Sequence, residues 1–233
     1  MTQLLIRRFA SRAALETALE ERLARVIAAP DPAALMLSGG TTPLPVYRAL
    51  ARLGLPHAPE LRILFSDDRY VPADSPASNY HQAQPLLAAL ALPPAAVLRV
   101  RTELPLDVAA ADYERQLSAL LRSGAHIGLG LLGLGADGHT ASLFSAADLE
   151  RARGRLAIAV QRPDGMSAVS VTPDLLARVA EPLFVVAGGD KHQAVRALRA
   201  QDPGVVAWRA VAACPRIELW VDPAASGPAD ERP

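Results

Sequence analysis

Four short stretches hold the residues of this chain that could do chemistry. The first is Ser38-Gly39-Gly40-Thr41-Thr42-Pro43. Its glycines let backbone approach a ligand closely, and Thr41 and Thr42 add hydroxyls. Pro43 suits the first turn of a helix, so free N–H groups and the helix dipole favour an anion such as phosphate. A plain strand-to-helix turn with Thr42 as N-cap has the same pattern. It is not a P-loop, because the closing Gly-Lys-Ser/Thr is missing. The second stretch, Phe65 to Pro72 (FSDDRYVP), sets two acids and Arg69 directly after an apolar run. Arg69 can grip a phosphate or carboxylate with two parallel bonds. One acid can orient a histidine or hold Arg69 in place.

The third stretch is GLGADGHTASLF, residues 133–144. His139 is the side chain best suited to proton transfer near neutral pH. Asp137 or Asp67 could fix its tautomer, and Thr140 or Ser142 could cap a following helix. The fourth is Ala187 to His192 (AGGDKH), with Lys191 the only lysine in a chain that otherwise uses arginine. A cation at a helix N-terminus is disfavoured unless an anion joins it. Upstream of His139, GLGLLGLGADG matches GxGxxG twice. A dinucleotide fingerprint needs those glycines at a strand-to-helix turn, with an acid about 20 residues on. Gly128 and Gly130 fall inside an apolar run instead, and Glu150 lies in a polar segment. The match reads as coincidence, with Gly133, Gly135 and Gly138 shaping a loop for His139.

The elements that must position these stretches follow from periodicity. Residues 4–9 read as a strand. From Ser11 to Ala29, Leu15, Leu19, Leu23 and Ile27 recur at helical spacing, with Ser11 as N-cap and Pro30-Asp31-Pro32 as the stop. A buried strand is expected at 33–38 and a helix from Pro43 to Leu53. Further strands are expected at 61–66, 96–100, 126–133 and 182–188, with an extended segment at 156–160. Helices are expected over 79–90, from Asp107 to Leu121, after Thr172-Pro173, and from an Asp190 cap to Ala200. Residues 217–221 make a last strand. Alternating strands and helices argue an α/β fold with a mainly parallel sheet flanked by helices. In such sheets ligands gather at the carboxyl ends of strands, where all four stretches fall. The chain reads as one domain over 1–222 and a flexible tail over 223–233.

Bulk properties narrow the function. The 24 Lys and Arg balance 24 Asp and Glu, leaving no bulk attraction to nucleic acid or anionic membrane. An anionic ligand therefore needs a local site. One cysteine, Cys214, excludes a disulfide framework and a CxxC site. No uncharged apolar run approaches the ~18 residues of a membrane span, and MTQLLIRRFA lacks the features of a signal peptide. The expected location is the cytoplasm. His57, His81, His126 and His192 show no metal-ligand spacing, so no metal is expected.

Taken together and in order, the four stretches and the Ser78-Asn79-Tyr80 triplet resemble the 6-phosphogluconolactonase family. DGHTASLF is its most specific element, and the likeness runs from about residue 5 to 222. The resemblance implies a Rossmann-like fold related to glucosamine-6-phosphate deaminases and ribose-5-phosphate isomerases. It implies hydrolysis of 6-phospho-D-glucono-1,5-lactone to 6-phospho-D-gluconate, without metal or organic cofactor, by a monomer or weak homodimer. It assigns His139 as general base and Asp67 as its partner acid. It assigns Arg69 to the substrate, and Gly39, Gly40, Thr41, Thr42, Asn79, Gly138 and Lys191 complete the expected site for the substrate and its phosphate. Three positions depart from the family pattern. Asp68 stands for a usual Glu, Ser145 for a usual Pro, and Ala168 for a usual Arg; either Arg162, Arg155 or another cation takes that place, or phosphate is held more weakly. Two rival readings are a sugar-phosphate deaminase or isomerase and a non-enzymatic sugar-phosphate-binding protein. The deaminases have DEY and NGHIGFNEP where this chain has DDR and DGHTASLF, and sugar-phosphate-sensing regulators usually carry an added helix-turn-helix.

Overall fold

The computed structural model describes residues 2–30 and 34–227. In chain order these form β1 (Gln3–Arg8), α1 (Arg12–Ile27), β2 (Ala34–Leu37), α2 (Pro43–Leu50), β3 (Ile63–Phe65), β4 (Asp67–Arg69), α3 (Asn79–Leu90) and α4 (Leu106–Arg122). There follow β5 (Ile127–Leu132), α5 (Ala146–Arg151), β6 (Ala157–Gln161), β7 (Ser167–Val171), α6 (Pro173–Leu176), β8 (Val179–Val186) and α7 (His192–Arg199). The chain continues through α8 (Val206–Val211), β9 (Arg216–Val221) and α9 (Pro223–Ser226). Six strands form a parallel sheet in the order β1-β9-β8-β5-β2-β3. The other three, β4-β7-β6, form a small antiparallel sheet.

Apart from edge strand β1, which is largely exposed, the parallel sheet is buried on both faces, as its apolar runs require. Successive residues of β2 alternate between two cores. Met36 joins Leu64, Tyr113, Leu117, Phe184 and Leu219 on one face. Leu35 and Leu37 join Leu15, Leu19, Tyr47, Phe65 and Leu131 on the other. Gly130 lies in β5 because there is no room for more: a Cβ there would meet the Met36 methyl at 2.7 Å and Val179 at 2.9 Å. The first GxGxxG is thus strand packing.

Two buried tyrosines finish the short strands β2 and β3. The Tyr47 hydroxyl of α2 donates to the Ser38 carbonyl (2.8 Å) and accepts from the Ser38 N–H (3.3 Å). Tyr113 of α4 does the same to the Phe65 carbonyl and N–H (2.5 and 3.0 Å). Each hydroxyl satisfies backbone at a strand end, and burial pushes both phenols far above their ordinary range. Ser66 then joins the two sheets. Its N–H donates to the Leu37 carbonyl of β2 (2.8 Å), and its carbonyl accepts from Val171 of β7 (2.9 Å).

Several local expectations need correction. Residues 96–100 make only an isolated bridge from Val97 to Ile63, because Pro94–Ala96 curls into a 3-10 turn. β4, β7, α5 and α8 have no counterpart in the sequence reading. Asp107 lies in the first turn of α4, whose N-cap is Pro105. Asp190 caps nothing: a 3-10 turn over Gly189–Lys191 leads into α7, and Asp190 pairs with Lys191. Ser11 does cap α1, accepting from the Ala14 N–H. The segment read as tail begins inside the fold, since α9 is capped by Asp222 and buries Ala225. Residues 228–233 of that tail, and 31–33 of the helix stop, lie outside the described residues.

Candidate active site

A cleft of about 260 Å³ opens at the carboxyl ends of β2, β3, β5 and β8, with residues from all four stretches in its wall. Of the residues expected at a site, His139, Asp67, Gly39, Gly40, Thr41, Thr42, Arg69, Asn79 and Lys191 line it. Gly138 does not. It turns the loop at φ +82°, donating to the Gly135 carbonyl and accepting from Ala207.

The His139 loop holds itself in shape. The Gly135 N–H donates to the His139 carbonyl (2.9 Å), and the Thr140 hydroxyl donates to the Gly133 carbonyl (2.8 Å). Neither Thr140 nor Ser142 caps a helix. Ser145 caps α5 in a reciprocal box with Asp148. That box uses the residue standing for the usual Pro. The imidazole Nδ1 lies 2.5 Å from Asp137 Oδ1, and its ring packs against Phe144 at 4.3 Å between centroids. No protein group among the described residues bonds Nε2. Burial works to raise the Asp137 carboxyl, but the hydrogen bond and charge of His139 outweigh it and hold it below the ordinary range. Gly135 is what makes the pair fit, since a Cβ there would lie 2.1 Å from His139 Nδ1 and 2.3 Å from Asp137 Oδ1.

Asp67 therefore does not partner His139. It sits in the cleft floor, 6 % exposed, and accepts from Ser142 Oγ (2.6 Å), Ser66 Oγ (2.8 Å) and Asn79 Nδ2 (3.3 Å). Through Ser142 it ties β4 to the loop that carries His139. Neighbouring Asp68 points the other way and caps α3. It accepts from the N–H groups of Asn79 (2.6 Å) and Tyr80 (3.2 Å) and from Ser78 Oγ (3.0 Å). Burial pushes the Asp68 carboxyl up to about 6, against these three hydrogen bonds, and the charge of Asp67 adds to the rise.

Three cations line the cleft. Arg69 donates to the Ala77 carbonyl (2.9 Å) and leaves its buried Nε without a protein partner, as Asn79 leaves Oδ1. Such atoms cost free energy unless a ligand group meets them. Lys191 reaches the cleft from the 3-10 turn after β8, with Asp190 3.1 Å from its Nζ. Arg162 is the third. It follows β6, pairs with Asp164 (3.0 Å), touches Ser142 Oγ (3.4 Å), and lies 5.2 Å from the centre of the Phe144 ring. Ala168 is fully buried opposite Val160 in the β6–β7 ladder. Alternation along the strand puts the side chains of Val160 and Arg162 on one face, and cross-strand partners share that face. Of the two cations named for the missing Arg, Arg162 thus reaches the cleft, while Arg155 is spent on Glu114 (2.7 Å).

The Ser38–Pro43 loop forms the opposite wall. Among the described residues no protein acceptor takes the N–H of Gly39, Thr41 or Thr42, whereas that of Gly40 donates to Gln82 Oε1 (3.2 Å). Thr42 stands at the N-cap position of α2 as expected, but in helical geometry and with no side-chain capping bond. Gly39 is required by close approach, since a Cβ would fall 1.8 Å from Asn79 Oδ1. Phe144 and Ser142 escaped the sequence reading as site parts. Their roles depend on contacts with Arg162 and Asp67 that local pattern does not encode. Among the described residues no group of three or more His, Cys, Asp or Glu could hold a metal ion.

Residues 8–216 match the family model for glucosamine-6-phosphate isomerases/6-phosphogluconolactonase. A 6-phosphogluconolactonase of Synechocystis sp. is 36 % identical over 186 residues, covering 75 % of this chain and 74 % of that protein. One from Thermotoga maritima is 34 % identical over 184 residues, covering 77 % of each. The crystal structure of a 6-phosphogluconolactonase from Thermotoga maritima superposes with a TM-score of 0.77 at 26 % identity, covering 96 % of this chain and all of that one. A monomeric glucosamine-6-phosphate deaminase shares the fold, with a TM-score of 0.79 at 18 % identity over 95 % of this chain and 98 % of that one.

Proposed function

The chain belongs to the glucosamine-6-phosphate isomerase/6-phosphogluconolactonase family, and on that premise we propose that it hydrolyses 6-phospho-D-glucono-1,5-lactone to 6-phospho-D-gluconate in the oxidative pentose phosphate pathway. The observation that carries the reading is a histidine oriented by a carboxylate within a cleft that also holds three cations and unclaimed backbone N–H groups.

A δ-lactone is an activated ester, so the site must activate water and stabilise charge on the carbonyl oxygen. Neutral His139 takes a proton from water through Nε2 as the water oxygen bonds to C1. The tetrahedral intermediate collapses with cleavage of the bond from C1 to the ring oxygen, and the imidazolium returns the proton to that oxygen. The products are the C5 hydroxyl and the carboxylic acid, which gives up its remaining water proton to solvent to become the carboxylate. Such acid–base help is worth on the order of 10²–10⁴ in rate. Asp137 keeps the proton on Nδ1 and stabilises the imidazolium. Gly39, Gly40, Thr41 and Thr42 receive the phosphate with Arg69 and Lys191, and Arg162 takes the place of the cation missing at position 168. Asn79 and Asp67 hold the floor. Remote phosphate binding positions C1 against His139. The reaction runs on these side chains alone, in the cytoplasm, in a monomer or weak homodimer without nucleic-acid or membrane partners.

A coupled assay tests the reading. Glucose-6-phosphate dehydrogenase generates the lactone in situ, and its disappearance is followed with and without the protein. Acceleration over spontaneous hydrolysis, lost by about 10²–10⁴ in His139→Ala with the fold retained, is the expected result. Near-normal turnover by that variant would overturn the role of His139. No acceleration by the unaltered chain would favour a sugar-phosphate-binding protein.

A further inference from the structure

We infer that Asp222 is a positioning residue for the cleft's lysine, which makes the C-terminal turn part of the substrate-binding apparatus. The inference rests on the proposed phosphate contact of Lys191. Strand β8 ends at Val186, and the chain must turn sharply to bring Lys191 to the cleft. It does so at Gly188, whose φ of +105° is closed to most side chains. The Gly188 N–H then points to the Asp222 carboxylate, 3.2 Å from Oδ1 and 3.3 Å from Oδ2. The Gly188 carbonyl accepts from the Lys191 N–H at 3.1 Å. Two consecutive hydrogen bonds therefore connect Asp222 to the lysine backbone.

Asp222 is fixed from its other side. It is 5 % exposed, its N–H donates to the Val186 carbonyl (3.2 Å), and its Oδ1 accepts from Ala225 at the start of α9 (2.7 Å). The turn it caps packs along the lysine segment. Gly227 passes so close to His192 that a Cβ would lie 1.9 Å from the ring. One buried carboxylate thus locks strand end, lysine turn and α9 together, without lining the cleft itself.

The test compares Asp222→Asn, Asp222→Ala, Lys191→Ala and the double variant Asp222→Ala/Lys191→Ala. Steady-state kinetics use the phosphorylated lactone, with inorganic phosphate as competitive probe and thermal unfolding as fold control. Loss of the charge-assisted bond should raise KM and the phosphate inhibition constant together, by about tenfold in Asp222→Ala. The value of kcat should stay within about twofold, and the double variant should be no worse than Lys191→Ala alone. Should Asp222→Ala unfold, Asp222→Asn keeps an acceptor for Ala225 and carries the same comparison with a smaller shift. A fall in kcat with phosphate inhibition unchanged, or an effect additive to that of Lys191→Ala, would overturn the inference while leaving the lactonase reading intact. A wild-type chain without lactone turnover would overturn both.

Discussion

At the scale of single residues, the division of labour between three acids is the main result. Asp67, Asp68 and Asp137 all stood near the chemistry in sequence, yet only Asp137 reaches His139. Asp137 could be found because it lies two residues away on the same tight loop. The true partner of Asp67 could not, because Ser142 is 75 residues distant and meets it only once β4 and the His139 loop are assembled. Arg162 shows the same limit, since its place in the cleft depends on pairing of β6 and β7 that periodicity did not reveal. The assignment is tested by Asp137→Asn, which removes the charge and leaves an amide to set the tautomer. It should lower kcat by about a hundredfold or more while KM moves by less than about threefold. An unchanged kcat in steady-state assays would return the orienting role to another group.

At the scale of elements, long helices and apolar strands were legible, and the polar strand β4 with its partner β7 was not. The leucine spacing of α1 and its Ser11 cap survive intact. β4 is three residues long and full of charge, so nothing in its pattern announces a strand. Its order comes from β7 beside it and from α3, whose N-terminus Asp68 caps. That cap carries a measurable signature. Burial raises the Asp68 carboxyl from 3.8 to about 6 in the fold, so the native state binds a proton more readily than the unfolded chain. The resulting stabilisation is present below about pH 4 and lost as pH rises through about 6. Its size is on the order of 3 kcal/mol. Asp68→Asn cannot titrate. The stability of wild type minus that of the variant, from chemical denaturation, should therefore be larger at about pH 4 than at about pH 7, other acid effects cancelling. A difference flat with pH would mean that the three hydrogen bonds offset burial, and one larger at pH 7 that they outweigh it.

At the scale of the whole molecule, a neutral chain builds a local anion site by folding, not by composition. Arg69 and Arg162 come from the small antiparallel sheet and Lys191 from the large parallel one, and the balance of 24 cations and 24 anions conceals the meeting. The parallel sheet was legible because β2, β3 and β5 are apolar runs and β8 ends in one. The second sheet was not, and it supplies one wall of the cleft. Ser66 joins the two through one bond to each. The cleft therefore straddles a hydrogen-bonded seam, and its walls cannot swing apart as two bodies without tearing the ladder. Substrate must enter past the rim loops, with the frame standing still. In native-state deuterium exchange the amides of Ser66 and Val171 should be released only by global unfolding, whereas those of the Gly133–His139 loop should exchange through smaller openings. Release of the Ser66 and Val171 amides through openings as small as those of the loop would mean that the frame opens with it.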